Sequence, residues 1–139
     1  MADLQDLFAR RAAAWAQRDP KALAATYTDD ATVNSPMFPH AEGRDAIEQS
    51  FEKLFRIFPD WEITLDEPCV SGNRAMQVCK VRGTQRGEFM GIPGAGKRLE
   101  FDGVLIYDLC DGLIRRERRI YDFTGVLIQL GVLRGKPAV

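Results

Sequence analysis

The stretch Arg118 to Gly131, RRIYDFTGVLIQLG, sets one carboxylate, Asp122, between Tyr121 and Phe123, where a strand-like run passes into a helix-like one. Desolvating a carboxylate costs several kcal/mol unless it is paired, hydrogen-bonded or neutralised by a raised pKa. The position therefore suits either a cap that satisfies free N–H groups at a helix start or a titrating acid in an apolar pocket. The residues alone leave both readings open. His40 is the single histidine and follows a proline in a loop, so a Ser-His-Asp or Cys-His arrangement finds no support. Asp29-Asp30 read as turn or cap residues at a helix end, and no spacing resembles a metal site. Acid/base chemistry without a cofactor is the most economical enzymatic option.

A second motif is a decoy. Gly91 to Lys97, GIPGAGK, fills the first seven positions of a phosphate-binding loop, but Arg98 stands where Ser or Thr would hold magnesium. The segment also joins two strands instead of opening a helix, so a wide hairpin loop is expected. Phe89, Met90 and Ile92 bring apolar side chains into it, as core plugs or as the rim of a pocket.

The elements that must position these residues follow from composition and period. The 139 residues are 45% hydrophobic and 28% charged, with net charge −1, the balance of one globular domain with no electrostatic pull toward nucleic acid or a membrane. Cys69, Cys79 and Cys110 are odd in number and widely spaced, which fits neither a disulfide framework nor a zinc site and suits a reducing cytoplasm. No segment approaches the ~20 apolar residues of a membrane span. Asp3 can cap a first helix to about Asp19, with Leu4, Leu7, Phe8 and Trp15 at helical spacing. Asp19 and Pro20 restart a second helix that ends near Thr28. Asp29 to Pro36 reads as a strand, residues 37–43 as a loop, and Ile47, Phe51, Leu54, Phe55 and Phe58 mark a third helix ended before Pro59.

Beyond Pro59 the period moves toward 2, giving strands over residues 61–70, 74–86, 98–110 and 113–122. Ser71-Gly72-Asn73 and Asp111-Gly112 are hairpin turns between them. Helices followed by an antiparallel meander define an α+β fold with helices across one face of a curved sheet. Strict alternation puts Ile114, Arg116, Arg118, Ile120 and Asp122 on one face of the last strand, and Leu113, Arg115, Glu117, Arg119 and Tyr121 on the other. Neither face is cleanly apolar, and the basic run Arg115 to Arg119 reads as a solvated or salt-bridged strand. In the strand at 74–86, Gln85 shares a face with Cys79, Val81 and Gly83 and points inward if that apolar side does.

Several runs together resemble the SnoaL-like polyketide cyclase and ester cyclase family of the NTF2-like, ketosteroid-isomerase-like superfamily: AATYTDDATVNSP, GRDAIEQSFEKLFRIFPDWEITLDE, GTQRGEFMGIPGAGKRLEFDGVLIYDLCDGLIRRE and YDFTGVLIQLG. The resemblance covers nearly the whole chain. It implies a cone of three N-terminal helices on a curved, mostly antiparallel sheet around a deep apolar pocket, with a short C-terminal helix, usually in a homodimer. Asp122 matches the family's catalytic aspartate, which exchanges protons in an intramolecular aldol ring closure with no cofactor and no metal. Gln85 and Asn34 stand where relatives often carry histidine or a histidine pair, and Arg118 where many have tryptophan. Gln85 and Asn34 can donate to a substrate oxygen but cannot carry a proton near neutral pH. Arg118, if turned inward, would favour an anionic substrate or depress the pKa of Asp122. Trp15, Tyr27, Phe51 and Phe55 are core residues by type, of which Trp15 and Tyr27 are expected to line the pocket with Phe89 and Met90. The expected function is an isomerase- or lyase-type cyclase acting on a small apolar or aromatic carbonyl ligand. A non-catalytic binding module and an epoxide hydrolase or dehydratase variant are the alternatives.

Overall fold

The structure is a computed structural model that describes residues 4–135. Helix α1 spans Leu4–Gln17; the expected cap at Asp3 lies outside the described residues. It ends two residues before Asp19 because Arg18 adopts a left-handed conformation, φ 50°, and the N–H groups of Arg18 and Asp19 turn back to the carbonyls of Trp15 and Ala14. This pair of reversed bonds is a Schellman closure. Asp19 then caps α2, Pro20–Ala24, through its Oδ1 on the Ala22 N–H at 3.1 Å, with Pro20 at the first helical position.

The second helix is shorter than expected, because Tyr27 already starts strand β1, Tyr27–Asn34. Asp29 and Asp30 are accordingly not at a helix end. They are exposed within β1, where the pairing is irregular, and Asp29 forms an ion pair with Arg44 at 2.7 Å. In the loop expected at residues 37–43, Ala41–Glu42 forms a short strand, β2, against β1. Helix α3, Arg44–Ile57, buries Ile47, Phe51, Leu54 and Ile57.

The expected strand at 61–70 is two strands, β3 (Glu62–Leu65) and β4 (Cys69–Ser71), both antiparallel to β5 (Arg74–Thr84). The break falls at Pro68, which has no N–H to give to the ladder. Strand β6 runs Arg98–Cys110 and β7 Leu113–Tyr121, followed by helix α4, Phe123–Gln129. Asp111 and Gly112 join β6 to β7 with φ 51° and 75°, the two positive values a type I′ turn needs. The sheet order is β2-β1-β7-β6-β5-β3, antiparallel except where β1 lies parallel to β7. α1 to α3 cover its concave face, and α4 closes one edge: Gln129 accepts from the Glu100 N–H at 2.7 Å and donates to the Glu100 carbonyl at 3.0 Å. No helix among the described residues is long and apolar enough to cross a membrane.

Strict alternation fails in β7. Asp108 of β6 pairs with Arg116 while Leu109 pairs with Ile114, so Arg115 is an extra residue in a β-bulge. Ile114 therefore shares the inward face with Glu117, Arg119 and Tyr121, while Arg116, Arg118 and Ile120 are exposed. The bulge explains why neither face of this strand read as clean.

Candidate functional site

The concave sheet face and the helices above it enclose an apolar cavity. Trp15 of α1 and Leu54 of α3 form its roof, Cys79 and Val81 of β5 and Phe101 and Leu105 of β6 its floor, and Trp61, Met37 and Phe38 its sides. A water-sized sphere has about 30 Å³ in which to centre itself, enough for a water-scale guest, so a larger ligand must displace side chains. Phe101 and Tyr121 stack beside it with ring centroids 4.4 Å apart. A Cβ at Gly103 would lie 3.1 Å from the Ile120 carbonyl, so any larger residue there would push β7 back by a few tenths of an ångström.

Polar groups on the wall come from β7 and the loop after β1. The Tyr121 hydroxyl accepts from the Met37 N–H at 3.1 Å and lies 3.3 Å from Ser35 Oγ. Burial raises its pKa, and that of the Cys79 thiol to about 11, so both stay protonated near neutrality. Arg119 reaches the cavity from the same strand with its guanidinium 5.3 Å from the Phe51 ring centroid.

Behind Arg119 lies a buried ion network. Glu117, wholly buried, accepts from Arg119 Nε on one oxygen; its other oxygen accepts from Tyr27 OH at 2.6 Å and from Arg11 Nη2 at 3.2 Å. Arg11 also donates to Thr26 Oγ1 at 2.9 Å. Burial alone would raise the carboxyl pKa of Glu117, but the two guanidinium groups and the tyrosine hydroxyl together hold it below its ordinary value. For Arg119 burial favours the neutral form, and the carboxylate of Glu117 outweighs it, lifting the guanidinium above its usual range.

The structure distributes the sequence-selected residues unevenly. Trp15 lines the cavity and Tyr27 sits in the network beside it. Gln85 is buried, but its amide donates to the carbonyls of Gly87 and Ile92, each at 3.0 Å, and so folds the β5–β6 loop on itself. Phe89 plugs that loop against Phe38 and Phe58, while Met90 is exposed at its tip. Asn34 Oδ1 accepts from His40 Nδ1 at 2.9 Å near the surface. Arg118 is exposed on the convex face, between Ile106 and Asn34. Asp122 is exposed and caps α4, with Oδ1 accepting the Gly125 N–H at 2.9 Å. Sequence reasoning missed Arg11, Glu117, Arg119, Trp61 and Tyr121 as site-forming residues. One signal was available: Arg11 falls four residues after Leu7 and four before Trp15, on the apolar stripe of α1. Among the described residues no three His, Cys, Asp or Glu side chains gather as a metal site.

A curved mixed sheet backed by three helices, closed by a short C-terminal helix and enclosing an apolar cavity, defines the class of ketosteroid-isomerase-like α+β domains. Within that class the chain belongs to the SnoaL-like polyketide cyclase family, whose model matches residues 5–130. It is similar to AclR from Streptomyces galilaeus, described as a candidate hydroxylase, with 22% identity over 96% of this chain and 84% of that one, TM-score 0.80. It is also similar to IdmH from Streptomyces antibioticus, described as a candidate polyketide cyclase, with 25% identity over 93% and 99% of the two chains and TM-score 0.72. A protein of ketosteroid-isomerase-like fold from Catenulispora acidiphila, bound to trimethylamine, shares 18% identity over 90% and 92%, with TM-score 0.77. No curated protein matches the sequence significantly.

Proposed function

We propose that the chain is a cofactor-independent, cyclase-like enzyme that seats a small apolar or aromatic carbonyl compound in the cavity and moves its proton through Asp122. The observation that carries this reading is the cavity wall itself, which is apolar apart from groups that can donate to a carbonyl oxygen: Arg119, Tyr121 and Ser35. The family and the cyclase description of IdmH support the reaction class. In such a reaction a base removes a proton α to one carbonyl, the resulting enolate carbon attacks a second carbonyl, and the new alkoxide takes the proton back. Donors fixed around the oxygen stabilise the developing charge. This role requires the exposed Asp122 carboxylate to give up its bond to the Gly125 N–H and turn inward when substrate binds.

The alternative is a non-catalytic binding module. It is favoured by the engagement of Asp122 in the cap and by the consumption of the Gln85 amide within its own loop. Asp122→Asn separates the two, because asparagine caps a helix as well as aspartate but transfers no proton. With a substrate identified from native mass spectrometry of the purified protein, turnover should fall by at least ~10²-fold in this variant. Undiminished turnover overturns the role of Asp122, and retention of an unreacted ligand by the wild type supports the binding module.

The homodimer implied by the family would use the convex sheet face. Val78, Val104 and Ile120 are adjacent across β5, β6 and β7, and Val78 and Ile120 are half exposed. Ion pairs of both signs, Arg74–Asp108, Lys80–Asp102 and Arg82–Glu62, flank them, a pattern that suits a second copy of the same surface. The three free thiols suit a reducing cytoplasm.

A further inference from the structure

The buried network carries a charge that its own residues do not neutralise. Arg11 and Arg119 face the single carboxylate of Glu117. Burial holds the Tyr27 phenol up at about 12 and the Cys79 thiol at about 11, so neither supplies a second negative charge near neutrality. Aromatic faces spread part of the surplus: Arg11 lies 5.2 Å from the ring centroids of Tyr27 and of Tyr107, and Arg119 rests on Phe51. Arg119 commits Nε to Glu117, while its Nη2 is buried and bonds no protein atom. The indole N–H groups of Trp15 and Trp61, residues 4% and 6% exposed, are likewise buried and unpartnered, and all three residues line the cavity. Each unmade buried bond costs about 1–3 kcal/mol, more when the donor is charged. A small anion with several acceptor lone pairs, entering as the side chains around the cavity give way, is the kind of guest that can relieve them.

We propose that this wall recognises a carboxylate, so that the cavity's ligand is a small aromatic or unsaturated carboxylic acid and not its neutral ester or ketone. The inference rests on the cavity being the ligand site and adds the charge class of what enters it. A carboxylate forms a charge-assisted bond with Arg119 Nη2, and its remaining lone pairs accept from the indole N–H groups. The hydrocarbon part of the acid lies against the stacked Phe101–Tyr121 pair. An ester offers weaker acceptors and leaves the guanidinium uncompensated, so discrimination by charge is built into the wall.

The chain has two tryptophans, and both belong to this wall, so its two indole N–H resonances in a ¹H–¹⁵N spectrum report the site directly. Titration of the full chain with sodium benzoate, against methyl benzoate at matched ionic strength, should move both resonances and give at least tenfold tighter binding of the acid. Arg119→Gln should abolish this preference by weakening benzoate far more than methyl benzoate, and Arg119→Lys, which keeps the charge, should retain part of it. Equal affinity of the wild type for acid and ester overturns the carboxylate inference and leaves the cavity as a ligand site. If neither probe moves the indoles, the cavity is not a ligand site and the inference falls with it. If Arg119→Gln does not fold, the acid-against-ester comparison on the wild type and on Arg119→Lys still decides the question.

Discussion

Asp122 and Gly125 form one local device. The carboxylate closes onto the Gly125 N–H three residues on, so the position of Asp122 is explained by the cap before any catalytic demand is placed on it. Asp122→Ala should cost about 1 kcal/mol in urea unfolding and Asp122→Asn close to nothing, because the loss comes from the unsatisfied N–H. The cysteines make a second residue-scale contrast. Cys69 is exposed, whereas Cys79 lies against the cavity with a thiol held at about 11. Under native conditions at pH 8, iodoacetamide should modify Cys69 and leave Cys79 intact, read by peptide mass spectrometry.

At the scale of elements, β7 carries most of what the site depends on. Its bulge at Arg115 turns Glu117, Arg119 and Tyr121 toward the helices together. Opposite Tyr121, Gly103 of β6 leaves the gap into which the tyrosine and Cys79 pack. Gly103→Ala should therefore destabilise the protein by roughly 1–3 kcal/mol through overpacking, measured by chemical denaturation, and should also perturb the indole resonances of the cavity wall. The antiparallel meander was legible beforehand because its turn residues and period-2 patterns are local. The bulge was not, since one inserted residue is a property of the pairing between β6 and β7.

At the scale of the molecule, the Arg11–Glu117–Arg119 network ties α1, β1 and β7 into one unit. Removing one partner leaves a buried charge uncompensated, so Glu117→Gln should cost about 3–5 kcal/mol, a large share of a typical domain's stability. The pH dependence follows from the sign of the Glu117 shift. Its carboxyl titrates lower in the folded chain than the ordinary 4.5, so its contribution is fully present above that value and is lost as pH falls through the folded pKa. Thermal unfolding of the wild type should show Tm dropping below about pH 4.5, with the Glu117→Gln variant already low at pH 7 and flatter over the acid range. For assembly, the proposed convex-face homodimer predicts that Val104→Lys leaves a monomer by light scattering where the wild type is a dimer, without changing the fold by circular dichroism; a monomeric wild type overturns the dimer proposal.

The sequence by itself determined the α+β order, the hairpin turns and the boundaries of β6, because these rest on caps, turn chemistry and short-range periodicity; the family was legible separately, through the resemblance of whole motifs such as YDFTGVLIQLG. It also placed Asp122 at the start of α4, where both the cap and the acid readings put it. Only the tertiary structure decided which way each candidate faces: Asp122 and Arg118 outward, and Arg119, Tyr121 and Glu117 inward. The physical reason is that facing is set by register and by burial against distant elements, which a side chain's type and its neighbours in the chain do not encode. A charged residue such as Glu117 reads as surface until Arg11, 106 positions earlier in the chain, arrives to pair with it.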